Sequence, residues 1–280
     1  MFSKLKIAQD FFHKWGSVFV CPMCGSPLSL SENSLKCLQN HQFDFSRKGY
    51  VRLLRQERSL KDDFYNLKLF QARRSFILEG FYDKLHEEIS QILKKQKDPL
   101  ILDLGCGEGT HLHIISKQLK NASVIGCDIS PDGVQMATDY LKDNYFPIVS
   151  DVNHLPFKDS SFDAVVDILS PFMHQEILRV LKPNGVFIKA NPAFSYLKEI
   201  RTLYGLKEYE KEDDVLNNLK KHFVKIHKNK IEIQYSLTKE NYTNLIQMTP
   251  LMHYKEHKCA NPIKNITISL NIYVIKKDEQ

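Results

Sequence analysis

Long apolar runs are the first thing this sequence lacks. No stretch approaches the roughly 20 consecutive apolar residues that a membrane-spanning helix needs, so no membrane span is expected. A secretory leader is not expected either. Lys4 and Lys6 precede an apolar stretch that Gln9, Asp10, His13 and Lys14 interrupt, and no small-residue cleavage site follows. Cysteine is sparse, six in 280 residues, and forms no disulfide pattern: Cys21, Cys24 and Cys37 cluster, whereas Cys106, Cys127 and Cys259 are scattered. That usage fits a reducing cytoplasm. Disorder as the dominant state is excluded by 42% hydrophobic and 26% charged residues.

A strong charge bias is also missing overall, since 39 Lys+Arg against 33 Asp+Glu leave +6. The placement is more telling than the sum. Residues 36–74 hold ten basic and four acidic side chains, which is the entire excess, and from residue 99 onward 22 basic face 22 acidic. A basic segment joined to a neutral domain points to a polyanion, nucleic acid first, or to a well-solvated linker.

Residues 1–20 read as an amphipathic helix or ordered arm, with Phe11, Phe12 and Trp15 at helical spacing, Gly16 as a stop and 18–20 extended. Cys21-Pro22-Met23-Cys24-Gly25 follows, then Cys37 and His41, a C-x2-C-x12-C-x3-H pattern. Zn2+ takes four such ligands in a tetrahedron, and a hairpin turning at Glu32-Asn33 would bring Cys37 and His41 back to close the site. With four protein ligands present, the expected zinc is structural. Three buried or redox cysteines are the plainer alternative. Downstream, Phe43, Phe45, Tyr50, Val51, Leu53 and Leu54 interleave with Arg47, Lys48, Arg52 and Arg55. Such a pattern grips RNA when the aromatics stack bases, or packs a small core while the cations reach solvent.

Residues 64–95 carry helical periodicity with Gly80 as a break. An apolar strand then runs through Asp103 into Gly105-Cys106-Gly107-Glu108-Gly109-Thr110, with a helix behind it. Glycines there allow a sharp turn and close approach of backbone to a ligand. A second strand, Ser123–Asp128, ends in a carboxylate suited to ribose hydroxyls, with Ile129 placed to cover an adenine face. A third strand, 146–149, leads to Asp151, where a polar group could read the adenine amino group. A fourth strand with its exit at 162–171, a fifth at 186–191 and an alternating segment at 265–275 complete an α/β pattern. It predicts a Rossmann-like, doubly wound parallel sheet ending in an antiparallel strand, with the ligand at the strands' carboxyl ends.

These elements resemble a class I S-adenosylmethionine-dependent methyltransferase, whose D-x-G-x-G-x-G loop matches Asp103 to Gly109 and whose second-strand acid matches Asp128. Asn184 replaces a glycine of its L-K-P-G-G turn, a mild change because Asn tolerates positive φ. The zinc pattern ahead of that core narrows the likeness. Together with Lys48-Gly49-Tyr50-Val51, Gln71-Ala72-Arg73-Arg74, Leu155-Pro156-Phe157 and Gln247-Met248-Thr249-Pro250, it resembles the bacterial 23S ribosomal RNA guanine-N1 methyltransferases. Some members of that family are linked to macrolide resistance.

The resemblance implies a methyl transfer from S-adenosylmethionine to N1 of a guanine in a 23S ribosomal RNA hairpin, by a homodimer holding structural zinc. It also implies a cofactor-contacting set: Tyr82 over the methionine part, Asp103, Gly105, Cys106, Gly107, Glu108, Gly109, Thr110, Asp128, Ile129, Asp151, Val152, Leu155, and Tyr196 where the family can have a histidine. Asp167 is the candidate acceptor of the N1 proton, with a structural cap or a surface carboxylate as the alternative. Arg47 to Arg74 would grip phosphates, Arg52, Arg55 and Arg58 among them. The expected organisation is an arm (1–20), a zinc-binding RNA-recognition module (21–55), a basic linker with helices (56–98), and a methyltransferase domain (99–280) with an inserted cap at about 192–260. Two other classes fit parts of the chain: a small-molecule methyltransferase, and a non-catalytic RNA-binding factor.

Overall fold

Continuous apolar runs mark strands buried on both faces, and two such runs build the centre of this protein. A computed structural model describes residues 3–56, 65–207, 212–223, 225–252 and 263–277. The central strands are β5 (Leu100–Leu104) and β8 (Phe162–Ile168). They pair in parallel, and an eight-stranded sheet extends from them in the order β10-β11-β9-β8-β5-β6-β7-β4. Here β6 is Ser123–Asp128, β7 Tyr145–Val149, β9 Leu181–Pro192, β10 Ile226–Ser236 and β11 Asn265–Lys276. Strands β4 to β9 run parallel to one another, and β11 pairs antiparallel with both β9 and β10.

Alternate residues of each strand serve opposite faces. Ile101, Val124, Val166 and Ile188 enter one core, with α2 (Leu67–Phe76), α3 (Asp83–Leu93) and α9 (Lys239–Met248) against them. Leu102, Ile125, Val165 and Phe187 enter the other, beneath α1 (Lys4–Trp15), α6 (His174–Val180) and α8 (Glu212–His222). Helix α1 starts where Ser3 caps the Lys6 amide, and Asn66 and Thr238 cap α2 and α9 in the same way. Between α2 and α3 the chain makes a wide turn at Ile77–Phe81, possible because Gly80 takes φ 89°.

The zinc-pattern segment folds as a three-stranded sheet of β1 (Leu28–Ser31), β2 (Ser34–Cys37) and β3 (Gln42–Asp44), with the expected turn at Glu32-Asn33. It is not a separate body. Phe11 stacks on Phe146 of β7, Phe19 bridges to Phe157, and Leu28, Leu35 and Cys37 share the second core. Its tail, β4 (Val51–Arg52), pairs in parallel with β7 and forms the outermost strand of the large sheet.

Several sequence expectations change here. The inserted cap at about 192–260 is not one unit, because Ile226–Ser236 is a strand of the sheet. The boundary at residue 55 falls behind a strand that belongs to the large sheet. Strand β9 begins at Leu181 and carries a register shift opposite Phe162/Ala164, with Asn184 at φ 62° as its side chain permits. After β9, Leu197 takes φ 53°, and helix α7 runs Lys198–Leu203. Phe64, Arg58 and Cys259 lie outside the described residues. Among the described residues, no helix is long and apolar enough to cross a membrane.

Candidate cofactor site and metal centre

The turn after Cys21 is tight. The Gly25 amide donates to the Cys21 carbonyl at 2.8 Å, and Gly25 sits at φ 75°. The turn sets Cys21 and Cys24 on one side, and β2 delivers Cys37 and then His41 from the other. All four ligand atoms lie within 4.8 Å of one another. Cys24 Sγ to Cys37 Sγ is 3.7 Å, and His41 Nδ1 is 3.4 Å from both Cys21 Sγ and Cys37 Sγ. Ligands about 2.0–2.3 Å from a tetrahedral centre stand about 3.4–3.8 Å apart, so these separations are those of a closed zinc site. The redox alternative gives no reason for a histidine nitrogen equidistant from two thiols.

The second site forms where β5, β6, β7 and β8 end. Asp103, buried near the end of β5, accepts from Tyr145 Oη at 2.7 Å, and burial pushes its carboxyl up to about 8 despite that bond. The chain then turns through Gly105, Gly107 and Gly109, at φ 70°, 54° and 78°. These glycines are also needed for space: a Cβ on Gly105 would collide with Ser170 Oγ, and one on Gly109 would lie 2.9 Å from Tyr145 Oη. The amides of Gly105 and Cys106 donate to the Cys127 carbonyl, which docks the loop on β6.

Asp128 closes β6. Its two oxygens accept from the Gly107 and Ser130 amides, each at 2.8 Å. One bond to each oxygen leaves acceptor capacity for two hydroxyls, and the carboxylate is only half-buried. Ile129 beside it is also half-buried. Asp151 follows β7 and accepts from the Asn153 amide at 2.9 Å, so its Oδ1 holds the turn that carries Val152. Leu155 is buried, its amide bonded to Glu176 Oε2. Asp151 also lines a cleft of about 220 Å³ with Leu53, Leu54, Arg55, Gln56 and His154, so the chain behind β4 walls this end of the site.

At the opposite end, Tyr82 and Tyr196 meet hydroxyl to hydroxyl. Both are buried. Glu108 and Thr110 are buried beside them, and Thr110 Oγ1 bonds Tyr140 Oη at 3.0 Å. Cys106 is half-buried, its thiol directed to the Gly107 carbonyl.

Two expectations are redirected. Asp167 is fully buried; its Oδ1 accepts from Lys189 Nζ at 2.8 Å and from Ser170 Oγ at 2.9 Å. That placement is the structural cap, not a surface carboxylate, and a sealed ion pair is a poor resting place for an incoming proton. Arg74 does not face solvent for phosphates. Its guanidinium binds Asp139 Oδ2 at 2.8 Å and the Met136 carbonyl at 2.8 Å, and lies over the Tyr140 ring. Arg55, Arg47 and Lys48 are all exposed, with the Arg55 Nε donating to the Pro22 carbonyl at 3.1 Å.

Sequence reading misses Tyr145, Phe70 and Arg73. It places Tyr145 outside the third strand, although Gly126 in the middle of β6 is the clue to a close neighbour: a Cβ there would collide with Tyr145 Oη. Phe70 lies against Gly107 and Gly133, and Arg73 lies one helical turn behind it.

A parallel sheet with a three-glycine loop after one strand and a carboxylate closing the next defines a class I methyltransferase. Sequence comparison agrees: the profile described as "Methyltransferase domain" matches residues 95–249, and that described as "RlmA, N-terminal", a zinc ribbon, matches residues 19–58. Bacillus subtilis YxjB, which carries a provisional 23S rRNA (guanine-N(1)-)-methyltransferase name, is 40% identical over 195 residues, 66% of this chain and 68% of its own. The Streptomyces fradiae 23S rRNA (guanine(748)-N(1))-methyltransferase is 27% identical over 237 residues, covering 82% of this chain and 84% of its own. Among solved structures, Bacillus subtilis YcgJ superposes with a TM-score of 0.49 at 15% identity, over 70% of this chain and 98% of its own. The chain belongs to the 23S ribosomal RNA guanine-N1 methyltransferase family.

Proposed function

We propose that this protein transfers a methyl group from S-adenosylmethionine to the N1 nitrogen of a guanine in a hairpin loop of 23S ribosomal RNA. One observation carries the reading: a zinc ribbon of RNA-modifying type is built into the same sheet that presents the glycine loop and Asp128. A small-molecule methyltransferase has no use for that ribbon. A non-catalytic RNA-binding factor has no use for an intact loop and carboxylate.

The residues divide the work as follows. Asp128 accepts the ribose hydroxyls, Asp151 reads the adenine amino group, and Ile129, Val152 and Leu155 bound the ring. Gly105, Gly107 and Gly109 let the backbone approach the donor. Tyr82 and Tyr196 enclose its amino-acid end, with Asp103 fixed beneath by Tyr145. The bound cofactor supplies an electrophilic methyl group on a positive sulfonium. The N1–carbon bond forms as the carbon–sulfur bond breaks, so the protein's task is to align three atoms and exclude water. The N1 proton leaves to water or a nearby base. N1 lies on the Watson–Crick edge, so the guanine must be unpaired, and a hairpin loop lowers that cost. Zinc holds the ribbon in shape, and Arg47 and Lys48 on it meet phosphates.

Incubation with radiolabelled S-adenosylmethionine and unmodified ribosomal RNA, followed by nucleotide mapping, tests the reading. Label at N1 of one guanine in 23S RNA is expected. Label only in a small-molecule extract would overturn it.

A further inference from the structure

Two charged side chains beside the glycine loop make no side-chain ion pair within 4 Å among the described residues. Glu108 is 1% exposed, and among the described residues no donor meets either carboxylate oxygen with good hydrogen-bond geometry, although its own amide and Thr110 lie near enough to favour its charged form. Thr110 is close by, but its hydroxyl is bonded to Tyr140. Leaving a buried carboxylate unsatisfied is costly, and a group of this kind in a native site awaits a donor.

The second is Arg73 of α2. Its guanidinium lies over the loop: a Cβ on Gly107 would stand 3.3 Å from Nη1. It rests on the Phe70 ring, 5.4 Å from the centroid. Among the described residues it makes no hydrogen bond or ion pair, in contrast to Arg74, whose Nη atoms donate to Asp139 Oδ2 and to the Met136 and Glu108 carbonyls. The Arg73 charge acts at once on Glu108, Asp128, Tyr82 and Tyr196, holding down groups that burial pushes up. It therefore stands among the residues of the cofactor site, not on the surface with Arg47 and Lys48.

An unpaired anion and an unpaired cation, both beside one glycine loop, suit a ligand end that carries both signs. We propose that Arg73 and Glu108 form a zwitterion slot, Arg73 holding the carboxylate and Glu108 the ammonium of the amino-acid end of the methyl donor. The assignment rests on the reading of this site as the S-adenosylmethionine site, and it moves Arg73 from the RNA grip to the cofactor. A planar guanidinium matches a carboxylate through two parallel N–H···O bonds.

Calorimetric titration of the full chain with S-adenosylmethionine and with its decarboxylated analogue tests the slot. The wild-type protein should bind the analogue about 10–100-fold more weakly, the factor expected for losing charge-assisted hydrogen bonds. Arg73→Met should weaken S-adenosylmethionine by a similar factor, leave the analogue unchanged and leave RNA affinity unchanged, and Arg73→Lys should recover part of the loss. Equal wild-type affinity for both ligands would overturn the slot, and so would an Arg73→Met protein that loses only RNA. Absence of wild-type binding to either ligand would instead sink the cofactor reading itself, and the slot with it.

Discussion

Tyr82 Oη and Tyr196 Oη stand 2.8 Å apart although 114 residues separate them in the chain. One residue stands at the start of α3 and the other follows β9, so the bond ties the helical layer to the strand on the far side of the cofactor loop. Burial and the neighbouring tyrosine both keep the Tyr82 hydroxyl protonated far above neutral pH. A buried hydroxyl that loses its partner keeps its desolvation cost. Tyr82→Phe and Tyr196→Phe should therefore each destabilise the fold by about 1–3 kcal/mol, with the double variant costing less than the sum. Urea unfolding of the four proteins measures the coupling.

Asp103 sets a pH dependence. Its folded-state carboxyl is pushed up to about 8 by burial, against about 4 in an unfolded chain. The folded protein thus holds a proton that the unfolded chain releases, and the favourable contribution is lost as pH rises through that window. The ligand-free protein should lose on the order of 1–2 kcal/mol between pH 6 and 8 from this group. Asp103→Asn, which still accepts from Tyr145, should flatten the drop. Urea midpoints at the two pH values provide the check, and an unaltered slope in the variant would refute the assignment.

The fold was legible where sequence carried hydrophobic pattern and glycine spacing, and less so where tertiary partners decide. Strand β6 has the limits read from sequence because its apolar run ends in Asp128 ahead of a turn. The ends of β4 and β9 were not legible, since Val51-Arg52 is too short to show a period and Pro183-Asn184-Gly185 resembles a break. The zinc ligands were readable as a spacing because a metal constrains sequence distance. Arg73 and Tyr145 were not, because their roles depend on which glycine each one lies against.

The buried Asp167–Lys189 pair makes a separate prediction. Lys189→Met leaves a carboxylate sealed in the core without its cation, and should cost about 3–5 kcal/mol in urea unfolding. Replacing both residues, Asp167→Leu with Lys189→Met, should restore most of that loss. If Lys189→Met is neutral, the pair contributes nothing.

Zinc should be present at one ion per chain. Cys24→Ser, or chelation of the wild-type protein, should lower the melting temperature and RNA affinity together, because the ribbon shares the second core. Cofactor affinity should hold, since Asp128 and the glycine loop lie on other elements. Metal analysis, thermal melting and calorimetry are the three readouts.

Exposed Arg47 and Lys48 on the ribbon differ from half-buried Arg74 on α2. Arg47→Ala and Lys48→Ala should weaken RNA binding and reduce its salt slope by about 0.7–0.9 for each phosphate left without its cation. Arg74→Ala should leave the salt slope alone and lower stability, since Arg74 ties α2 to Asp139 and Met136.

Two residues, Val51 and Arg52, give β7 its outer neighbour. A fragment beginning after them would bare the backbone of Tyr145–Val149, an apolar strand rim ready to recruit another chain. The segment behind the ribbon thus covers the edge of β7.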